Sequence, residues 1–155
     1  DLFIAVIDKY VFHMQSASVK FNFQSCTLYE FIEQYISGVE RTMSRLIQIL
    51  DDGNNPSGCS FNFYYFHILM QVRLYYPNAD KKIMQIFEQD YEIWKSAIKS
   101  AIERKEIRSD IDIESAALMF RQIFLGLSFE QSFLGGLDTK FLAQKLRFAY
   151  SLLKA

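Results

Sequence analysis

Apolar residues return every three to four positions along most of this chain, and polar breaks separate the stripes. Leu2, Phe3, Val6, Ile7, Tyr10, Val11 and Met14 form a first helical stripe. Residues 16–26 lose the pattern and read as a frayed end and a loop. Thr27 opens the clearest helix. With Glu30 it makes a capping box, in which the hydroxyl accepts from the Glu30 amide while the carboxylate reaches back. Leu28, Phe31, Ile32, Tyr35, Ile36, Val39, Met43, Leu46, Ile47 and Leu50 follow as one stripe. Asp51-Asp52-Gly53 stops it, with Gly53 placed for a left-handed C-terminal residue.

After a loop at residues 54–58, residues 60–76 differ in kind. Phe61, Phe63, Tyr64, Tyr65, Phe66, Ile68, Leu69, Met70, Val72 and Leu74 cover every direction of a helix, which predicts a buried, central one. Pro77 blocks its continuation. Asn78 or Asp80 caps the next helix, predicted to run to about residue 107. Its stripe is Ile83, Ile86, Phe87, Trp94, Ala97, Ile98, Ala101 and Ile102, with Asp90 among them. Arg108-Ser109-Asp110-Ile111 connects to a helix capped by Asp112, with Glu114 in its dipole-favoured first turn. Gly135-Gly136-Leu137-Asp138 breaks the chain again. Asp138 caps the last helix, and Leu137 with Leu142 makes a hydrophobic staple. No repeat, low-complexity segment or convincing strand interrupts the series. The expected architecture is a single all-α domain over residues 1–155, of about six helices.

The two closing helices are apolar on more than one side. The first has one face at Ile113, Ala117, Phe120, Phe124 and Leu127 and a second at Leu118, Gln122, Leu125 and Phe129, while Met119 and Ile123 extend the surface. The last pairs Leu142, Leu146, Ala149 and Leu153 with Phe141, Phe148 and Leu152. One face can pack on the home domain. The remainder predicts a two-fold partner, the terminal helices of both copies meeting as four. Gly126 fits that picture, because a mid-helix glycine costs about 1 kcal/mol against alanine and close approach of another helix offsets it. The expected dimer residues are Met119, Ile123, Gly126, Leu127, Phe141, Lys145, Phe148 and Leu152.

Composition narrows the chemistry. Half of the 155 residues are apolar, and 15 Phe and 9 Tyr supply enough aromatic surface to wall a cavity as well as fill one. The net charge of −1 lacks the basic excess of a domain that grips phosphates. Lys95, Lys99, Arg104, Lys105 and Arg108 cluster, but Glu103 and Glu106 alternate with them as on a solvated helix face. Cys26 and Cys59 have no metal or redox spacing, so both are expected to be inert thiols in a reducing, cytoplasmic compartment. No apolar run reaches transmembrane length and no signal peptide is visible, so no membrane partner is expected. The chain opens on Asp1-Leu2-Phe3-Ile4 as though inside a helix, and a preceding segment is expected to be missing.

Catalytic patterns are lacking: there is no nucleophile elbow, Gly-rich phosphate loop, paired histidine or cysteine cluster. Neither an enzyme nor a metal or cofactor is expected. His67 reads first as a core histidine hydrogen-bonded in the aromatic helix, and alternatively as a polar contact for a bound molecule. Asp90 is either paired with a Tyr, Arg or His or faces a cavity. His13 stands near a frayed end. The pool for a small apolar or aromatic effector is Phe63, Tyr64, His67, Met70, Asp90, Tyr91, Trp94, Phe120 and Phe124. Two rivals remain open: a helical module with a filled interior that binds a protein and no small molecule, and a small helical enzyme built on a convergence of Asp90 and His67.

Two stretches resemble the tetracycline-repressor (TetR) family of bacterial transcriptional regulators. The opening Asp1-Leu2-Phe3-Ile4-Ala5-Val6-Ile7-Asp8 is similar to the segment that follows the family's helix-turn-helix domain and starts its connecting helix. The second stretch is Trp94-Lys95-Ser96-Ala97-Ile98, Ala101-Ile102-Glu103-Arg104-Lys105-Glu106-Ile107 and Asp110-Ile111-Asp112-Ile113-Glu114, with Ala116-Ala117 and Phe124-Leu125-Gly126 behind. Family members often have Gly where Lys105 stands, so a local difference in that turn is expected. The resemblance implies a C-terminal effector-binding and homodimerisation domain, touching DNA only through an absent N-terminal domain. Effector binding would then shift the connecting helix over residues 2–14 and change the spacing of two DNA-reading heads.

Overall fold

A computed structural model describes residues 2–7, 9, 26–50 and 61–155. The readings made for Tyr10, Val11, His13, Met14, the loop at 16–25, the Gly53 stop, the 54–58 loop and Cys59 lie outside the described residues. Those described are helical, with no strand beyond one isolated antiparallel bridge between Ile107 and Lys154. A short α1 (Leu2–Ile7) precedes five longer helices: α2 (Leu28–Leu50), α3 (Phe61–Tyr75), α4 (Ala79–Glu103), α5 (Ile113–Ser132) and α6 (Thr139–Leu153). None is long and apolar enough to cross a membrane.

Local rules start these helices where the sequence places them. Thr27 and Glu30 form the expected box: the Thr27 amide donates to Glu30 Oε2 at 2.8 Å, and the Glu30 amide to Thr27 Oγ1 at 3.2 Å. Asp112 accepts from the Ser115 amide, and Asp138 from those of Lys140 and Phe141. Asn78 does hold the N-cap position of α4, but in a left-handed conformation (φ 55°), and its side chain makes no capping bond. α3 ends at Tyr75, ahead of Pro77.

α4 stops at Glu103, four residues short of the expected end. Lys105 adopts φ 59°, its amide donates to the Ile102 carbonyl, and the Glu106 amide donates to that of Ala101. This double bond pattern is a Schellman motif, which normally places glycine at the left-handed position. The turn frees Ile107 to bury its side chain in the main core.

That core is made by α2, α4, α5 and α6. Leu28, Phe31, Ile32 and Tyr35 of α2 meet Trp94 and Ile98 of α4, Ala117 and Phe120 of α5, and Leu142 and Leu146 of α6. Each fully buried large side chain contributes roughly 1.5–3 kcal/mol by leaving water. Leu137 and Leu142 both lie in this core, as a staple requires. A smaller cluster sets Ile7 of α1 against Val72, Tyr76 and Ala79.

The expectation for α3 is corrected. It lies at the periphery, packed on α5 and α4, with Met70, Leu74, Tyr75 and His67 exposed. All-round apolarity gave no preferred face, and only one side found partners. There the buried Asn62 Nδ2 donates to Ser128 Oγ at 2.6 Å, joining α3 to α5.

Candidate functional site

Three places hold the residues singled out from the sequence. The first surrounds Tyr35 on α2. Trp94 and Phe120 are fully buried and stacked, with centroids 4.8 Å apart and planes 9° from parallel. Phe31 meets Trp94 edge-on at 4.8 Å, Tyr35 tilts against Trp94 at 4.9 Å, and Phe124 meets Tyr35 edge-on at 5.6 Å. Half-buried Asp90 faces this group. Its carboxylate interacts with the Tyr35 and Tyr65 hydroxyls. Burial, then the Asp90 charge, holds both phenols well above their ordinary range, so they remain neutral donors. The Trp94 indole N–H is buried without a well-formed hydrogen bond, although the Tyr35 hydroxyl lies close to it. Asp90, Trp94, Phe120 and Phe124 of the expected pool are thus brought together, with Tyr35 at their centre. Tyr91 flanks them, half-buried, with Lys95 Nζ 5.5 Å and the Arg121 guanidinium 5.8 Å from its ring centre.

The rest of the pool lies elsewhere. Phe63 is edge-on to Tyr64 at 6.0 Å and to Phe133 at 6.2 Å, and His67 stacks on it at 6.5 Å. Exposed His67 therefore stacks on half-buried Phe63 near Phe133, whereas Asp90 faces Tyr35 and Tyr65. Met70 is 54% exposed. Among the described residues no His, Cys, Asp and Glu cluster could hold a metal ion.

The second place is the outer face of α5 and α6. Leu118, Gly126 and Phe129 are exposed on α5, and Phe141, Lys145, Phe148 and Leu152 on α6. Phe148 is 60% and Leu152 55% accessible, and Lys145 Nζ sits 4.7 Å over the Phe141 ring. Nothing lies within 4 Å of where a Gly126 Cβ would be. Met119, Ile123 and Leu127 lean half-buried on the home core. The apolar side chains exposed on α5 are therefore Leu118 and Phe129, the latter also edge-on to Phe66 of α3 at 5.2 Å.

The third place was not legible from spacing. A groove of about 300 Å³ runs between the start of α2 and the C-terminal half of α4. Phe31, Ile93 and Ala97 give it apolar surface, Ser96 and Ser100 line it with hydroxyls, and Cys26, Glu92 and Arg104 complete it. One end is closed by Arg104 Nη2, which donates to the Cys26 carbonyl at 2.6 Å. Beside it, the Glu106 carboxylate accepts from the amides of Leu28 (2.9 Å) and Tyr29 (3.1 Å) and from the Tyr150 hydroxyl (3.1 Å). These are the amides of the first α2 turn that the Thr27–Glu30 box leaves over, so Glu106 completes the cap from 78 residues away in the case of Leu28.

Comparison with protein-family models, curated proteins and solved structures finds no match to this chain.

Proposed function

We propose that this chain is the effector-sensing, dimerising half of a TetR-like transcriptional regulator. The observation that carries the reading is the exposed apolar face of the two closing helices, centred on Phe148 and Leu152 of α6 and Leu118 and Phe129 of α5. Exposed apolar side chains on two helices that pack together offer a surface that a two-fold copy can cover. Two further features support it. Lys105 adopts the left-handed conformation at the position where the family often has glycine. The aromatic group around Tyr35 and Asp90 offers the mixture of apolar wall and few polar atoms that small-molecule sites use. An apolar or aromatic effector acting there would shift α1 and, through it, a DNA-reading head outside these 155 residues.

Sedimentation velocity tests the dimer. The chain is expected to run as a dimer and Phe148→Asp as a monomer with unchanged helical circular dichroism; a monomeric parent chain would reject the reading. A thermal-shift screen with small apolar and aromatic compounds tests the sensor. The close stacking of Trp94 on Phe120 favours a second reading, a filled helical module that binds a protein through the same face. A flat screen beside an intact dimer would select it.

A further inference from the structure

We propose that the groove between the start of α2 and α4 binds a monocarboxylate with a linear apolar tail, its carboxylate against Arg104 and its tail over Phe31, Ile93 and Ala97. This rests on the sensor half of the proposed function but adds a second place, apart from the Tyr35–Asp90 group except for the shared Phe31, and it does not depend on the dimer.

Shape comes first. Glu92 and Arg104 mark the ends of the α4 wall, and twelve residues of helix span about 18 Å. A lining that follows α4 for that distance, with a volume of about 300 Å³, can accommodate an extended chain. Its middle is apolar, with Phe31 fully buried beneath and Ala97 too small to obstruct.

Charge then orients the ligand. Arg104 spends one donor on the Cys26 carbonyl. Two carboxylates share its charge without a hydrogen bond to it: Glu106 as an ion pair at 3.8 Å, and Glu30, whose Oε2 accepts from the Thr27 amide and hydroxyl. The guanidinium N–H groups not used by the Cys26 carbonyl can meet a further carboxylate, and Ser100, one turn back on the same helix face, can add its hydroxyl. At the other end the Lys95 ammonium is paired with Glu92 at 3.3 Å and with Glu114 at 3.8 Å.

Cys26 lines the groove and is a free thiol, which gives a local readout. In a Cys59→Ser chain, saturating decanoate below its micellar concentration is expected to slow the reaction of Cys26 with Ellman's reagent by about tenfold or more. Decanol should protect much less. Arg104→Gln should remove the advantage of decanoate over decanol, and Ser96→Trp should remove protection by filling the groove. Equal protection by both compounds in the parent chain, no protection by either, or protection that survives both substitutions would overturn the proposal. Thiol protection reports the groove and sedimentation reports the dimer, so either can fail alone.

Discussion

Arg147 closes on Glu33 through two parallel hydrogen bonds, Nε to Oε1 and Nη2 to Oε2, each 2.7 Å. The pair ties α6 to α2 across the outside of the core and holds the Glu33 carboxyl below its ordinary value of 4.5. Both groups are partly exposed, so solvent limits its contribution to about 0.5–1 kcal/mol even with two-point geometry. A depressed folded-state pKa gives stability that is present above 4.5 and lost as pH falls through the folded value. A double-mutant cycle with Glu33→Ala and Arg147→Ala should show that coupling at neutral pH and less of it once the pH lies below the folded-state value. Equal coupling at the two pH values would contradict the assignment.

Glu106→Ala should cost roughly 1–3 kcal/mol in urea unfolding, because it strips acceptors from two amides that the helix cannot satisfy. Glu106→Gln, which keeps one carbonyl acceptor, should cost less. Hydrogen exchange localises the effect: the Leu28 and Tyr29 amides should lose protection before the centre of α2 does. Loss spread evenly along α2 would point to a different role.

Lys105→Gly should stabilise the fold by about 0.5–1 kcal/mol. The left-handed conformation at φ 59° is strained for lysine and free for glycine, and the gain exceeds the added freedom of the unfolded chain. A melting temperature unchanged or lowered by this substitution would show that the turn does not hold that conformation in solution.

Gly126→Ala separates the monomer from the dimer. Within one copy the new methyl meets open space, so helix propensity should add about 0.5–1 kcal/mol in the monomeric Phe148→Asp background. In the parent chain the same methyl should weaken self-association, since the proposed seam brings a second helix close to residue 126. If both backgrounds are stabilised without loss of dimer, Gly126 lies outside the seam.

What the sequence made legible follows from distance along the chain. The caps at Thr27, Asp112 and Asp138 join residues two or three apart, and Pro77 acts on its own neighbours, so all were readable. The end of α4 was not: helical periodicity runs through Lys105, and nothing local reveals that Glu106 and Ile107 have tertiary partners. α3 shows the converse, an apolar run whose composition says that burial is wanted but not which side obtains it. Tyr35 read as one more stripe position, although it gathers Asp90, Trp94 and Phe124 from two other helices. The groove arises where Cys26 and Phe31 meet α4, a juxtaposition without a sequence signature.

The Glu106 cap also sets an order of events at the ribosome. The Leu28 amide must wait for a carboxylate 78 residues downstream, which at roughly 5–20 residues per second is about 4–16 s of synthesis. Until then nascent α2 has only its own box to hold its first turn, and its apolar stripe has no α6 to cover it. The connector after α4 is fastened later still, because the Arg108 amide bonds to the carbonyl of Leu153, at the end of the last helix. The first long helix among the described residues is therefore among the last to be finished.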